Sequence, residues 1–204
     1  MITIINCGMG NVGSVANMIK KVGGKSIITS NRDEVKHAKK LILPGVGAFD
    51  NAVKNLKDLG LWDLIKEKVL LEKVPIMGIC LGMQLLTKGS EEGELKGFGF
   101  IDAYTKKFKF EDNKLKVPHM GWNTVKITKK SKLFENMENQ ESRFYFVHSY
   151  YVDCYNKNDI LTITNYGIDF VSSFENDNII GVQFHPEKSH RFGMQLLKNF
   201  VEKY

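Results

Sequence analysis

Apolar and polar positions alternate in two different rhythms along the chain. In the first eighty residues, short apolar runs (Ile2-Thr-Ile-Ile5, residues 25–29, 40–43 and 74–77) are separated by amphipathic stretches. Such runs suit strands buried on both faces of a parallel sheet. Between them, Ser14 predicts the cap of a helix ending at Lys21, and Asp33 and Glu34 open a short helix. A further helix is expected from about Asn51, and a longer one over residues 61–72. This strand–helix alternation predicts an α/β fold with a mostly parallel central sheet. Beyond the helix that starts near Cys80 the rhythm changes. Residues 97–132, 144–153, 160–164, 170–174 and 179–184 read as short strands joined by tight turns, so antiparallel strands are expected to flank the parallel sheet. A last helix over 189–203 places Leu196, Leu197, Phe200, Val201 and Tyr204 on one face. No low-complexity linker divides the chain, and residues 1–204 are expected to form one domain.

Composition narrows the class. Of 204 residues, 43% are hydrophobic and 25% charged, an ordinary globular balance that argues against disorder. No apolar run approaches the ~20 residues of a membrane span. The start lacks a basic leader segment, so a cytoplasmic location is expected. Cys7, Cys80 and Cys154 are too few and too scattered for a disulfide framework or a zinc site, and no metal or cofactor is expected. The formal net charge is +6, but the lysines are spread along the chain. The densest stretch, residues 106–116, alternates lysine with apolar residues around Glu111-Asp-Asn113 and reads as a hairpin with a solvated lysine face. Without a clustered basic stripe or a nucleic-acid motif, nucleic acid is not an expected partner.

The chemistry concentrates at Gly78-Ile-Cys80-Leu-Gly82, where an apolar strand run feeds an apolar helical run. This is the thiol form of a nucleophile elbow. A nucleophile on a sharp strand-to-helix turn needs small neighbours two residues away on each side, so that strand and helix can approach. A helix N-terminus behind the sulfur favours the thiolate. Cysteine is more often a small buried hydrophobe, and Cys7 and Cys154 fit that reading. A thiol nucleophile needs a base and a group to orient it. His185 in Gly181-Val-Gln-Phe-His-Pro-Glu187 closes an apolar strand run, and in extended chain Glu187 would face the same way, with Pro186 holding that shape. Pro44-Gly-Val-Gly47 could turn backbone N–H groups toward an oxyanion, or could be a plain turn. All four prolines (Pro44, Pro75, Pro118, Pro186) fall in or beside such segments.

Together, Pro44-Gly-Val-Gly47, Gly78-Ile-Cys-Leu-Gly-Met-Gln84 and His185-Pro-Glu187 resemble the class I, triad-type glutamine amidotransferases over nearly the whole chain. More narrowly, Cys7-Gly-Met-Gly-Asn11, Pro118-His-Met-Gly-Trp-Asn123, Phe146-Val-His-Ser-Tyr150 and His185-Pro-Glu-Lys-Ser189 resemble the glutaminase subunits of imidazole glycerol phosphate synthase. Many of those carry tyrosine where this chain has Cys7. The resemblance implies a three-layer α/β fold and a Cys80–His185–Glu187 triad that hydrolyses L-glutamine. It implies an oxyanion hole from Leu81 and from Gly45, Val46 and Gly47, with the Val46 peptide reorienting to complete it. Gln84 and Glu92, with backbone near His148, Ser149 and Tyr150, would hold the amino-acid end of glutamine. A (β/α)8-barrel cyclase would dock on Gly10, Asn11, His119, Met120, Trp122, Asn123 and Lys188, form a heterodimer, and receive ammonia through a channel in histidine biosynthesis.

Read from the residues alone, Met120 and Trp122 could be core, His148 a satisfied core histidine, and Glu92 part of a solvated turn. Three other functions stay open at this point. One is a duplicated subunit feeding ammonia to a barrel paralogue in bacterial surface-sugar biosynthesis. Another is a cysteine hydrolase of the same general fold acting on γ-glutamyl or peptide bonds. The third is a non-catalytic binding module.

Overall fold

A computed structural model describes residues 1–110, 115–137 and 141–204. Its main sheet runs β2 (Ser26–Thr29), β1 (Ile2–Ile5), β3 (Leu41–Gly45), β4 (Ile76–Cys80), β12 (Ile179–Val182), β11 (Ile168–Asn176), β10 (Ile160–Tyr166) and β7 (Lys126–Ile127). The first five of these pair in parallel, and the later ones pair antiparallel. β9 (Tyr150–Cys154) also pairs with β11 and carries β5 (Ala103–Lys107). β6 (His119–Thr124) and β8 (Arg143–His148) form a separate antiparallel ribbon.

The strands are apolar on both faces because helices cover both faces. Ile5, Leu41, Leu43 and Ile76 pack against α2 (Arg32–Lys36), α3 (Phe49–Asp58) and α4 (Trp62–Lys66). Their neighbours Ile2, Ile4, Ile42 and Met77 pack against α1 (Val12–Lys21) and α6 (His190–Lys203). Each fully buried Ile or Leu contributes roughly 1.5–3 kcal/mol relative to exposure. The expected stripe on α6 divides as its helical phase requires. Leu196, Leu197 and Phe200 are fully buried, and Val201 and Tyr204 lie at the edge of the same cluster.

Several local expectations shift. Asn11, not Ser14, caps α1, its side chain accepting the Ser14 N–H, because an amide oxygen three residues upstream reaches that orphan donor. The helix expected over 61–72 continues beyond α4 as a π-helical turn, Glu67–Leu71. The expected 106–116 hairpin does not form a ladder among the described residues. β5 pairs with β9 instead, and the turn at 111–113 lies outside the described residues. No helix among the described residues is long and apolar enough to cross a membrane.

Candidate active site

Cys80 ends β4 and precedes α5 (Leu81–Leu85), with φ +55°. A side chain in that left-handed region is strained, and the turn holds it only because both flanking glycines let the elements close. A Cβ on Gly78 would sit 2.5 Å from the Gly82 carbonyl oxygen, and one on Gly82 would overlap the Leu43 carbonyl. The small-neighbour requirement is therefore met by backbone contacts that no larger residue allows. The helix behind the sulfur is only five residues long, shorter than the apolar run suggests. It stops where Thr87 turns its hydroxyl onto the carbonyls of Gln84 and Gly89. A helix this short has a weak macrodipole, so fixed donors near the sulfur gain importance.

His185 lies three residues beyond β12, its N–H donating to the Tyr145 carbonyl at 2.9 Å. Its Nδ1 donates to Glu187 Oε1 at 2.8 Å, and both side chains are almost fully buried. The contact arises differently from the sequence expectation. Pro186–Lys188 form a 3-10 turn rather than extended chain, since the fixed proline φ suits either shape. His185 Nε2 is buried, without a hydrogen-bond partner among the described residues. Burial alone would lower the His185 pKa, but the adjacent Cys80 and Glu187 outweigh it and push it up to about 10. The imidazole therefore has its orienting carboxylate on one nitrogen and the other nitrogen free beside the thiol.

The turn carrying His185 is fixed from behind. Ser189 Oγ donates to the His185 carbonyl at 2.6 Å and accepts the Tyr145 N–H at 3.0 Å. Gly193 on α6 packs on Pro186 so closely that a Cβ would overlap the Pro186 carbonyl oxygen. Gly193→Ala is therefore expected to lower the melting temperature by about 5 °C, through overpacking that cannot relax against backbone. Thermal unfolding checks this. An unchanged melting temperature would mean the turn tolerates displacement.

Cys80 opens into a pocket of about 430 Å³ lined by Val46, Gly47, Leu81, Gln84, Glu92, Pro118 and Val147–Tyr150. Gly45 pairs in register with Cys80, so the Gly45–Gly47 turn lies beside the sulfur. Gly47 has φ +103°, and Gly10 abuts Gly45, where a Cβ would sit 3.3 Å from the Gly45 nitrogen. Glu92 is held in place, unlike a solvated turn residue. Its Oε2 accepts the Phe49 N–H at 3.0 Å, capping α3. Burial raises its pKa, the Phe49 N–H works against that, and Asp50 adds to the rise.

His148 is both a satisfied buried histidine and a wall of the pocket. Its Nδ1 donates to the Tyr150 carbonyl at 2.7 Å, which leaves Nε2 to accept from His119 Nδ1 at 3.0 Å. His119 Nε2 then accepts from Asn123 Nδ2 at 3.3 Å. Burial lowers the pKa of His148 to about 3 and that of His119 to about 4, so this chain of rings is neutral. His119 is thus a correction to the expected docking set. It is 3% exposed and stacks on Phe146 and Tyr166, so its side chain cannot meet a partner. Strand alternation separates it from Met120 and Trp122, which are 62% and 42% exposed and hence not core. Asn123 is half-buried and spends its side chain internally, on His119 and on the Asn165 carbonyl. Asn11 and Lys188 are exposed and Gly10 half-buried. Trp122 stacks on His190, and Lys188 lies over the Tyr145 ring, so these side chains form one exposed aromatic and basic face.

One residue at the sulfur was not anticipated. Gln183, fully buried, donates from Nε2 to Cys80 Sγ at 3.7 Å. The signal for it was a lone amide in an otherwise apolar run bound for the core, where a polar group needs partners. Cys7 and Cys154 are buried and do not line the pocket. Burial pushes both thiols up, Cys154 to about 12.

Known proteins similar to this chain in sequence and fold are numerous. The family model for glutamine amidotransferase class-I matches residues 3–204. The chain is 59% identical to imidazole glycerol phosphate synthase subunit HisH 2 of Methanococcus maripaludis, covering 100% of both chains. It is 49% identical to the subunit HisH 2 of Pseudomonas aeruginosa, covering 99% of both. Among solved structures it resembles a glutamine amidotransferase with a TM-score of 0.70 at 16% identity, covering 96% of this chain and 98% of that one. The likeness of fold, the full-length match to the family model and these identities agree: the chain belongs to the class I glutamine amidotransferases, among the HisH subunits of imidazole glycerol phosphate synthase.

Proposed function

We propose that the chain hydrolyses L-glutamine at Cys80 and passes the ammonia to a (β/α)8-barrel cyclase, in the cytoplasm, for histidine biosynthesis. The observation that carries this reading is a strained, glycine-flanked Cys80 that opens into the pocket and adjoins a His185 already paired to Glu187 at 2.8 Å. Cys80 Sγ, its proton already resting on His185, attacks the side-chain amide carbon of glutamine as the thiolate, and His185 Nε2 delivers that proton to the departing ammonia. Water then hydrolyses the thioester to glutamate, and His185 accepts a proton from that water. The Leu81 N–H and the Gly45–Gly47 turn stabilise the oxyanion. Glu92 supplies a carboxylate for the substrate ammonium, with Gln84 and the Ser149–Tyr150 backbone beside it. The face formed by Asn11, Met120, Trp122 and Lys188 receives the cyclase. Contact between Gly10 and Gly45 gives such docking a short route to the oxyanion turn.

A glutaminase assay with and without the cyclase and its nucleotide ligand tests the reading. Weak hydrolysis alone and strong stimulation in the complex are expected. Equal turnover in isolation would remove the idea of an oxyanion hole completed by the partner. In a second reading a duplicated copy serves a barrel paralogue of surface-sugar biosynthesis; four relatives carry a numeral, 1 or 2, in their names. Co-purification with one barrel or the other separates the two, because both share the same glutaminase chemistry.

A further inference from the structure

We propose that Gln183 is a positioning residue for the nucleophile, a fixed amide donor that favours the Cys80 thiolate; this rests on the reading of Cys80 as the nucleophile. The sulfur lies between two backbone-anchored groups of opposite character. On one side the Val147 carbonyl is 3.9 Å away, an acceptor that suits the protonated thiol. On the other, Gln183 Nε2 is 3.7 Å away, a donor that suits the thiolate. Hydrogen bonding to the charged form favours that form.

The orientation of the Gln183 amide is dictated by its other end. Gln183 Oε1 accepts from Gln84 Nε2 at 3.1 Å, and Gln84 Nε2 also donates to the Tyr150 carbonyl at 3.2 Å. Both Gln84 protons are thus committed. A reversed Gln183 amide would set N–H against N–H at Gln84 and a carbonyl oxygen against the sulfur. The Gln183 N–H donates to the Ser172 carbonyl at 2.9 Å, which anchors the residue in the sheet. The donor is therefore preorganised, and it compensates for the short helix α5 that follows the nucleophile. The titratable groups around the sulfur are His185 with Glu187 behind it, and His148, Glu92 and Tyr150 on the pocket wall. Gln183 itself does not line the pocket; it meets the sulfur directly and the pocket wall only through Gln84.

The test is the pH profile of iodoacetamide alkylation at Cys80, followed by mass of the Cys80 peptide, in the full-length chain. Gln183→Met keeps the bulk and removes the donor, and is expected to move the alkylation midpoint up by about one pH unit. Gln183→Glu keeps the acceptor for Gln84 and places a carboxyl at the sulfur, so the midpoint should rise at least as far. With the cyclase present, kcat for glutamine hydrolysis in Gln183→Glu, which keeps the Gln84 contact, should fall about tenfold while KM changes less than about twofold. A wild-type alkylation profile in a folded Gln183→Met or Gln183→Glu variant overturns the proposal, even if kcat falls. If alkylating Cys80 in the wild-type chain leaves hydrolysis intact, the nucleophile assignment itself fails, which is a separate outcome.

Discussion

Cys80→Ala is expected to reduce glutamine hydrolysis by at least ~10⁴-fold while leaving the fold and partner binding in place. The activity loss follows because no other thiol can substitute. Cys7 and Cys154 are buried elsewhere in the protein, and burial holds both thiols protonated. The fold should survive because alanine keeps the Cβ that already tolerates φ +55° at this position. The change removes one sulfur atom that adjoins His185 and whose contacts to Gln183 and to the Val147 carbonyl are long, 3.7 Å and 3.9 Å. Loss of so small a buried group costs about 1 kcal/mol. The measurement is hydrolysis in the presence of the cyclase, paired with a melting curve and a binding titration. Wild-type turnover in Cys80→Ala would end the assignment. Cys7→Ala and Cys154→Ala should keep wild-type turnover, which makes them the matching controls.

What could be read from the amino-acid order depended on how sharply a geometric requirement constrains residue type. The elbow was legible because two close backbone approaches demand glycine at 78 and 82, and few other structures do. The His185–Glu187 contact was legible as a pairing but not as a shape. Proline at 186 fits extended chain and a 3-10 turn equally, and packing by Ser189 and Gly193 chooses the turn. The parallel half of the sheet was legible because strands covered on both faces are continuously apolar. The pairing of β5 with β9 was not, since a lysine-rich alternating run also satisfies a hairpin. His119 was misplaced because a motif shared with relatives says nothing about which face of a strand a residue takes. The alternation along β6, which puts Met120 and Trp122 outward and His119 inward, does say so. Gln183 carries only the anomaly of an amide in an apolar run, and its direction is set by Gln84, a residue 99 positions away that no local pattern links to it.

Glu187→Gln should separate the charge of the third residue from its shape. Glutamine can present the same Oε1 to His185 Nδ1, so the ring keeps its orientation and its tautomer. The lost charge matters because the pair is desolvated. Burial works to lower the His185 pKa, and Cys80 and Glu187 together reverse that and hold it up to about 10. With a neutral amide at 187, burial has only Cys80 against it and the pKa falls. The buried imidazolium formed when His185 takes the thiol proton then lacks its counter-charge, and kcat should drop by about 10²–10⁴-fold. The sign of the pH dependence follows from linkage. A histidine whose folded pKa lies above its ordinary value contributes stability that is fully present below that ordinary value, 6.5, and is lost as pH rises through about 10. Glu187→Gln removes part of that contribution. Its melting temperature should therefore fall furthest below wild type near pH 6, and the gap should narrow as pH approaches 10. An amide nitrogen replaces Glu187 Oε2, which is already buried without a partner, so any packing penalty there is constant across pH. The narrowing of the gap, and not its size at one pH, is the signature of the lost carboxylate. A gap that stays constant from pH 6 to 10 would mean that Glu187 holds His185 by shape alone, and the drop in kcat would then need another cause.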